Sequence, residues 1–583
     1  MTTISSFFLQ KHSPTSSLLT SPPLQFQFKI SSFKIDEKHN KSTHQIPIIL
    51  TRTSHTPTKQ PIHAQAKTTE NTTKQSLLTT IFTFLDELIC NFIDPPLRPS
   101  IDPKHVLSGN YSPVHELSPS SCTVVEGSLP PSLNGVYIRN GPNPQFIPRG
   151  PYHLFDGDGM LHSIKISEGK ATFCSRFVKT YKYTLEQNIG SPVILNVFSA
   201  FNGLPASLAR CVVTLGRVIT GQYDPKRGIG CANTSLAMFS GKLFALAESD
   251  LPYAVKLSCD GDVITLGRHE HFGEPYMTMT AHPKIDTETG ETFAFRHNVM
   301  APINAEGIKQ PEVPILSLKE ASLIHDFAVS ENYVVFPDTQ IVIKPIDVLK
   351  GKSLVGIDSE KVPRLGILSR YAEDEREMWW VEVPGFNMVH TVNAWEEDGG
   401  DTIVVVAANV SGVENVLERM DLIHTLMERV EINVKNRTVT RRPVSGRNLD
   451  FGIINPGYFG KKNRYMYAAV GDPMPKMAGA VKIDLSLSTA NLGDCTVATR
   501  LYGPYCYGGE PFFVPRQPDN PAAEEDDGYL MTYVHNECTE ESTFIVMDAK
   551  SPNLEIVAAV RLPQRVPYGF HGIFVSECDL EKL

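Results

Sequence analysis

Residues 236–267 read LAMFSGKLFALAESDLPYAVKLSCDGDVITLG, a pair of short apolar-alternating runs separated by turn-forming residues. Alternation of apolar with small or polar side chains at a period of two is typical of β-strands that bury one face. The runs are interrupted at residues 249–252 and at Asp260-Gly261, a dipeptide favoured in tight hairpins. The stretch therefore predicts antiparallel strands joined by short turns.

Runs of this kind recur along the rest of the chain between about residues 121 and 563. They cover residues 135–140, 160–167, 171–178, 325–337, 402–410, 429–444, 465–470, 528–536, 542–550 and 555–563. More than 400 residues of short strands without alternating βαβ units predict an all-β fold. Barrels and sandwiches seldom use so many strands in one unit, so a β-propeller is the favoured architecture, although no clean internal repeat is visible.

Two stretches of this body look helical. Residues 200–221 form one, and residues 413–429 form the other. The second places Val416, Met420, Ile423 and Met427 on one face at helical spacing.

The amino-terminal region predicts a targeting sequence rather than a folded segment. Residues 1–67 carry eight Lys or Arg and two acids, which gives them a net charge of +6. Because the whole chain has a net charge of −10, residues 68–583 carry a net charge of −16. This segment also holds 19 Ser or Thr and six Pro, with Arg52 as its one arginine. A basic, hydroxyl-rich, acid-poor leader is typical of transit peptides, and the prolines and scarce arginine favour a plastid over a mitochondrion. A disordered tail without a targeting role is the alternative, and cleavage is expected near residues 64–66.

Charge and cysteine content exclude several classes of function. A net-acidic body makes nucleic acid an unsuitable partner, because binding to phosphates needs a basic surface. The ten Cys include no C-x-x-C pair, which argues against a zinc finger and against a disulfide framework. A reduced, intracellular protein is the expectation.

Residues 76–93 predict an amphipathic helix between the leader and the body. The apolar stripe consists of Leu77, Leu78, Ile81, Phe82, Leu85, Leu88, Ile89 and Phe92. Asp94-Pro95-Pro96 ends the helix, and Asp86 and Glu87 on its other side make it a poor membrane span. Two interpretations stay open, namely packing on the core or lying at the surface of a membrane or lipid droplet. The acidic polar face weakens the second. We therefore divide the chain into residues 1–67 (leader), 68–110 (helix and linker) and 111–583 (one propeller domain).

The candidate chemistry lies in the histidines. The sequence contains no G-x-S-x-G, P-loop, helix-opening G-x-G-x-x-G or H-E-x-x-H motif, which removes the usual signs of several enzyme classes. Of the 18 His, His282, His325, His390 and His571 have distinctive surroundings but lie 43, 65 and 181 residues apart. Such separations are far too wide for a zinc finger but suit one ligand from each of several blades. Spacing alone favours satisfied structural histidines, and an all-histidine site alone would not identify the metal.

The residues around these histidines resemble the carotenoid cleavage oxygenase family, and most closely its plant plastid dioxygenases of type 4. The matching motifs are YIRNGPNP (residues 137–144), HLFDGDGMLH (153–162), FALAESDLP (244–252), NAWEE (393–397), RNLDF (447–451), GGEPF (508–512) and PYGFHG (567–572). They extend from about residue 94 to the carboxyl terminus.

The resemblance implies a seven-bladed β-propeller with one Fe(II) on its axis, capped by helices and loops that form an apolar tunnel. It implies that His282, His325, His390 and His571 are the iron ligands. Glu248, Asp450 and Glu510 are implied as carboxylates behind the ligands; Asp450 stands where much of the family has Glu. Phe155 and Phe570 are implied as aromatic residues of the tunnel.

The resemblance also implies the reaction and the location. Fe(II) and O₂ would cleave a conjugated double bond of a carotenoid or apocarotenoid, at the 9,10 (9′,10′) positions, giving an apocarotenoid aldehyde and a ketone such as β-ionone. Cleavage of 9-cis-epoxycarotenoids toward abscisic acid and a weakly active carotenoid-binding propeller are the alternatives. Residence in plastids, at a membrane or plastoglobule, is expected.

Two features depart from this pattern or compete with it. The segment between His282 and His325 is shorter than the family pattern and lacks the usual aromatic strand before the second ligand, which predicts a changed blade edge and tunnel wall. His269 and His271 would lie on one strand face and could bind a metal, but a surface role is expected for them.

Overall fold

The computed structural model describes residues 77–272, 278–296, 298–318, 322–348, 350–490 and 493–583. The predicted leader, residues 1–67, and its cleavage near residues 64–66 lie outside these ranges, and the division between linker and propeller at residue 110 stays a prediction. All of the described residues belong to one structural unit.

The elements numbered in chain order are mostly strands. The helices are α1 Leu77–Leu88, α2 Pro103–Val106, α3 Tyr181–Ile189, α4 Leu204–Ile219, α5 Pro345–Val348 and α6 Glu577–Leu580. The strands are β1 Leu117–Ser121, β2 Thr123–Gly127, β3 Gly135–Pro142, β4 Gly159–Ser167, β5 Lys170–Phe177, β6 Ser235–Phe239, β7 Lys242–Leu246, β8 Tyr253–Leu257, β9 Val263–Arg268, β10 Lys284–Ile285, β11 Thr292–Arg296, β12 Val299–Ile303, β13 Val313–Pro314, β14 Ala328–Val329, β15 Tyr333–Asp338, β16 Ile341–Ile343, β17 Val355–Ile357, β18 Arg364–Ser369, β19 Trp379–Glu382, β20 Met388–Glu397, β21 Thr402–Ser411, β22 His424–Asn433, β23 Thr438–Pro443, β24 Leu449–Ile453, β25 Tyr465–Val470, β26 Gly479–Asp484, β27 Thr496–Leu501, β28 Cys506–Tyr507, β29 Phe512–Pro515, β30 Gly528–Asn536, β31 Glu541–Asp548, β32 Ile556–Arg561 and β33 Gly572–Ser576.

The strands form the seven blades of a β-propeller, as the sequence predicts. In order the blades are β33-β3-β4-β5-β1, β6-β7-β8-β9, β10-β11-β12-β13, β14-β15-β18-β19, β20-β21-β22-β23, β24-β25-β26-β27 and a seventh in which β28 and β29 pair with one side of β30, followed by β31, β32 and β2. Strands β16 and β17 form a separate two-stranded ribbon. Neighbouring strands within these sheets pair antiparallel, and the second, third, fifth and sixth blades are simple meanders.

The two ends of the chain close the ring of blades. β33, at the carboxyl terminus, pairs with β3 in the first blade, and β2, near the start, pairs with β32 in the last blade. The first and seventh blades therefore each combine early and late strands. Val575 of β33 is fully buried and packs with Val136 and Ile138 of β3.

One edge of each blade faces a common axis. The edge strands β14, β20 and β24 contact one another in sequence, and β29, β33 and β6 do the same. Each blade starts at this edge and runs outward, so the edge strands run in the same direction. Their first residues consequently meet at one end of the axis, which is the end that carries the candidate site.

The sequence prediction was wrong for residues 413–429. Instead of a helix, two short 3₁₀ turns, Val413–Asn415 and Met420–Leu422, lead into β22. Met427 lies on the buried face of β22, where strand pairing with β21 and core packing override the helical spacing. By contrast, the predicted helix at residues 200–221 is present as α4.

The short segment between His282 and His325 forms the third blade. All four strands are present, but the first and the last, β10 and β13, span two residues each. The described residues of this blade therefore include four strands, of which the two at its edges are short.

Helix α1 is held against α4 on the outside of the propeller. Phe82 and Ile89 are buried against Ala206 and Val213 of α4. The predicted helix at residues 76–93 is therefore present from Leu77, with a single π turn at Ile89–Ile93 at its end.

Half of the predicted apolar stripe nevertheless faces outward, namely Leu77, Leu78, Ile81 and Phe92. We use the term helical face for the exposed apolar side chains of α1, its π turn and α4. They are Leu77, Leu78, Ile81, Phe84, Phe92, Ile93, Leu204, Leu208, Val212, Leu215 and Ile219. Within the described residues, no helix combines the length and the apolar character needed to cross a membrane.

Candidate metal centre

The four histidines singled out in the sequence lie together on the axis. One ring nitrogen from each of His282, His325, His390 and His571 lies within 4.8 Å of those of the other three. Among the described residues, this is the one group of three or more His, Cys, Asp or Glu side chains placed to share a metal ion.

The blade topology explains why distant residues converge. His282 and His325 precede β10 and β14 by two and three residues, His390 is the third residue of β20, and His571 directly precedes β33. All four therefore stand at the start of an edge strand, where the blades meet.

The three predicted carboxylates come from the same end of the axis. Asp450 is the second residue of β24, and Glu510 lies between β28 and β29, where the edge of the seventh blade is interrupted. Glu248 follows β7, which runs antiparallel to β6, so its end lies beside the starts of the edge strands.

Each carboxylate faces the Nδ1 atom of one histidine. His325 Nδ1 lies 2.6 Å from Glu248 Oε1, and His390 Nδ1 lies 2.7 Å from Asp450 Oδ1. His571 Nδ1 lies 3.0 Å from Glu510 Oε1. Because an ionised carboxylate can only accept, each of these nitrogens carries the ring proton of a neutral imidazole.

The opposite ring nitrogens point at each other. The His325 Nε2 atom lies 3.1 Å from His282 Nε2 and 3.2 Å from His390 Nε2. With the protons of His325 and His390 on Nδ1, the facing Nε2 atoms of this pair both present lone pairs. Two acceptors at this distance repel each other unless a cation lies between them. Two nitrogens bound to one ion at right angles, with bonds of about 2.1 Å, would stand about 3 Å apart. The donor set therefore fits a transition-metal ion.

Electrostatics keep His282 neutral and two of the carboxylates, Glu248 and Asp450, charged. Burial, together with the neighbouring histidines, lowers the pKa of His282 well below its usual range, so its lone pair stays available. Burial alone would raise the pKa of Glu248 and of Asp450. The facing His325 and His390 outweigh it and hold both carboxyl pKa values below their ordinary range.

A second layer of contacts ties three ligand strands together. Asp326, next to His325, accepts a hydrogen bond from the Thr391 backbone N–H at 2.7 Å, and its Oδ1 lies 2.6 Å from Lys284 Nζ. Thr391 adjoins His390, and Lys284 is two residues beyond His282. One buried carboxylate thus sets the spacing of the strands that carry three of the four histidines. Sequence inspection missed Asp326, because its surroundings carry no motif of their own.

A cavity of about 250 Å³ opens onto the cluster, and we call it the central cavity. His325, His390 and His571 line it together with Glu248 and Asp450. Most of the remaining lining is apolar. It includes Leu154, Phe155, Phe198, Val389, Val410, Val416, Leu417, Met420, Ile423, Phe451, Met474 and Phe570.

The two predicted aromatic residues both line this cavity. The rings of Phe155 and Phe570 pack edge to face with centroids 5.9 Å apart, and Phe198 packs edge to face on Phe155 at 5.4 Å. Phe451 was missed by sequence inspection. It stacks on His390 at 5.6 Å and has a positive φ of 53°, a conformation that is uncommon for a bulky residue.

His269 and His271, the competing metal pair, lie elsewhere. Their rings are 5.2 Å apart beside Phe244 and Phe272 in the second blade. They belong to no group of three donors among the described residues.

Known proteins are similar to this chain over most of its length. Residues 111–576 match the model of the RPE65 family, described as retinal pigment epithelial membrane protein. The probable chloroplastic carotenoid cleavage dioxygenase 4 of Arabidopsis thaliana is 54% identical over 100% of this chain and 98% of its own. The chloroplastic 9-cis-epoxycarotenoid dioxygenase NCED1 of rice, Oryza sativa subsp. japonica, is 53% identical over 87% of this chain and 81% of its own.

A solved structure supports the architecture. The cobalt-substituted apocarotenoid oxygenase of Synechocystis superposes with a TM-score of 0.66, covering 82% of this chain and 100% of its own at 24% identity. The fold and the four-histidine site define a propeller metalloenzyme. With the sequence matches, the chain belongs to the RPE65 family, that of the carotenoid cleavage dioxygenases.

The geometry predicts that metal binding depends on His390 and not on His269. In His390→Ala, the cluster loses one donor and leaves Asp450 without its partner, so bound metal should fall to background. Metal per chain, measured by plasma mass spectrometry after anaerobic loading, checks this. His269→Ala is the matched control, and equal metal content in both variants would contradict the assignment.

Asp326 should tune the site without touching the metal. In Asp326→Asn, Lys284 loses its charged partner and the strand spacing loosens, so metal affinity should fall about tenfold, as for other residues that orient ligands. Competition with a chelator of known affinity measures this. Asp358→Asn, which breaks the 3.0 Å pair with Lys344 outside the site, is the control. Equal affinities would show that Asp326 has no such role.

Proposed function

We propose that the protein is an iron(II)-dependent dioxygenase that cleaves one conjugated double bond of a carotenoid or apocarotenoid, at the 9,10 and 9′,10′ positions. The observation that carries this proposal is the opening of a largely apolar cavity onto the cluster of four inward-facing imidazoles, three of which line the cavity. A long polyene has few polar atoms, so an apolar cavity can hold it, and the imidazoles supply the donors that iron requires.

In this proposal His282, His325, His390 and His571 hold the iron. Glu248, Asp450 and Glu510 accept from three of these rings and fix their orientation. Iron(II), when bound, supplies the activation of O₂, whose two atoms end in the two carbonyl groups of the products. No group on the protein has to transfer a proton in this overall conversion of one C=C and O₂ into two C=O groups.

The protein itself must select one double bond of the polyene among many similar ones. A polyene repeats the same conjugated unit, so regiochemistry depends on how far the chain enters the cavity. Phe155, Phe198 and Phe570 form an aromatic wall beside His571, and Phe451 packs on two ligand rings. Flat rings of this kind can stack along a polyene and limit its sliding. This supports a fixed cleavage position, with a C13 ketone such as β-ionone as the expected product.

The rice relative at 53% identity, named a 9-cis-epoxycarotenoid dioxygenase, makes epoxycarotenoid cleavage the second candidate. The third candidate is a weakly active carotenoid binder, for which the two-residue strands β10 and β13 are the motive, although no residue of either strand lines the central cavity.

The cleavage products distinguish the three candidate functions. Iron-loaded protein incubated with β-carotene, zeaxanthin, 8′-apocarotenal and a 9-cis-epoxycarotenoid should release the C13 ketone from at least one of the first three. Mass spectrometry identifies the fragments. Cleavage confined to the epoxycarotenoid would favour the second candidate, and unchanged pigment with iron bound would favour the third.

The proposal also includes where the protein resides. The Arabidopsis and rice relatives are named chloroplastic, and a basic hydroxyl-rich leader precedes the described residues, which supports residence in a plastid. We further propose that the helical face rests on a plastid membrane or plastoglobule. In α4, Leu204, Leu208, Val212, Leu215 and Ile219 recur on one side of the helix and are all exposed.

The connection between this face and the cavity supports the proposal. Residues 195–198 line the central cavity, and α4 begins six residues later at Leu204. The acids on the polar side of α1 are also neutralised, because Asp86 pairs with Arg217 and Glu87 with Arg149. Acidic charge on α1 therefore does not oppose contact with lipid.

The helical face should control binding to lipid. The triple variant Leu208→Ser, Val212→Ser, Ile219→Ser removes apolar area that contact with lipid would bury, so partition onto vesicles should fall at least about tenfold. Co-sedimentation with vesicles of digalactosyldiacylglycerol and phosphatidylglycerol measures this. Ile264→Ser, Leu266→Ser, Val497→Ser removes exposed apolar side chains from the blades instead. Equal binding by both triple variants would contradict the proposal.

A further inference from the structure

The segment that follows β21, residues 412–423, forms part of the wall of the central cavity. Four of its apolar side chains line the cavity, namely Val416, Leu417, Met420 and Ile423. Its regular structure consists of the two 3₁₀ turns, and its backbone N–H groups donate mainly within the segment, as Arg419 does to the Asn415 carbonyl oxygen. The position of this segment relative to the rest of the wall therefore depends on contacts to other parts of the chain.

Two polar contacts fasten the segment near its middle. At the surface, the Glu418 carboxylate accepts from Arg98 and from the Ser100 hydroxyl. The charged side chains of this pair are 52% and 40% exposed, so solvent screens their attraction and the pair holds the segment weakly. The second contact is internal, because His153 is buried and its Nε2 atom lies 3.2 Å from the Leu417 carbonyl oxygen.

The two ring nitrogens of His153 have different roles. Nδ1 accepts from the Phe155 backbone N–H at 3.1 Å, so it does not carry the ring proton. The proton of the neutral imidazole is therefore on Nε2, which donates to the Leu417 carbonyl oxygen. Burial lowers the pKa of His153 to about 4, and the ring keeps this neutral form near neutral pH. The 412–423 segment thus has a stable hydrogen-bond donor behind it.

His153 is also fixed to the aromatic wall. Its ring packs edge to face on Phe155 with centroids 4.9 Å apart and lies 5.7 Å from the ring of Phe198. The buried Asp156 carboxylate accepts from the backbone N–H groups of His153 at 3.1 Å and of Phe198 at 3.2 Å. Phe155, Phe198 and Leu417 line the central cavity, whereas His153 is not among the lining residues. His153 can therefore act on a bound molecule only through these neighbours.

We propose that His153 is a positioning residue that sets the spacing between the aromatic wall and the 412–423 segment, and thereby the double bond that meets the metal. The inference deepens the proposed function and rests on it for the identity of the polyene. A polyene has no polar group along its conjugated chain, so the shape of the wall must fix how far it enters. A displacement of Leu417 from Phe155 would bring neighbouring, chemically similar double bonds to the metal.

Two substitutions separate this hydrogen bond from the other contacts of the ring. In His153→Gln, the longer carboxamide can place an N–H near the position of Nε2 and donate to Leu417. In His153→Asn, the shorter side chain can accept from Phe155 in place of Nδ1 but does not reach Leu417. Hydrogen exchange of the backbone amides of residues 412–423 should become about fivefold faster in His153→Asn, the effect of losing one hydrogen bond, and should change little in His153→Gln.

The position of cleavage is the decisive measurement. The pigment that the iron-loaded unmodified protein cleaves is incubated with each variant, and mass spectrometry identifies the fragments. In His153→Asn, the share of products from neighbouring double bonds should rise at least about fivefold, whereas His153→Gln should keep the original position. An unchanged position in His153→Asn, or the same product mixture in both variants, would overturn the inference.

Metal content verifies that the variants fold. His153 contacts none of the four ligand histidines, so metal per chain should equal that of the unmodified protein in both variants. If His153→Asn loses its metal, His153→Phe takes its place in the comparison, because it keeps an aromatic ring between Phe155 and Phe198 and lacks both ring nitrogens.

The failure of the proposed function gives a different result. If the metal-loaded protein binds 8′-apo-β-carotenal but releases no product, the dioxygenase proposal fails. Binding then tests the role of His153, since the Kd from quenching of tryptophan fluorescence should rise about fivefold in His153→Asn and not in His153→Gln. Equal Kd values would overturn that role. If all forms cleave carotenoids at one position, the dioxygenase proposal stands and the role of His153 fails. Absence of pigment binding would overturn both.

Discussion

The contacts between three carboxylates and three histidine Nδ1 atoms are the interactions on which the site depends. Each contact assigns the ring proton to the outer nitrogen and leaves the inner one as a donor. The lone pairs of His325 and His390 then face each other across 3.2 Å, an arrangement that is unfavourable without a cation and favourable with one. The surrounding carboxylates also supply negative charge to balance that cation.

The fold makes these contacts from residues that are far apart in the chain. A propeller starts every blade at the axis, so the first residues of seven edge strands meet at one end. His282 and His571 are separated by nearly 300 residues, yet their ring centroids are 4.5 Å apart. Closure by β2 and β33 fixes the ring, and Asp326 sets the spacing of three ligand strands. The same end of the axis opens into the central cavity, which places an apolar substrate beside the donors.

Much of this could be predicted from sequence, and the failures have physical causes. Alternating strands between tight turns indicated a propeller, and the family motifs singled out four histidines, three carboxylates, Phe155 and Phe570, which lie together in the structure. Residues 413–429 were taken for a helix because their apolar side chains have helical spacing. In the structure these apolar side chains serve two other purposes. Val416, Met420 and Ile423 line the central cavity, and Met427 packs in the core between two blades. Asp326 and Phe451 owe their place in the site to contacts between blades, which no local pattern reveals.

X-ray absorption at the iron edge, on anaerobically loaded protein, tests the central claim most directly. The account predicts a first shell of nitrogen and oxygen donors, with the multiple scattering of four imidazole rings. Three imidazoles or fewer, or a sulfur ligand, would contradict it, because the inward-facing nitrogens of all four histidines would then not share one metal ion.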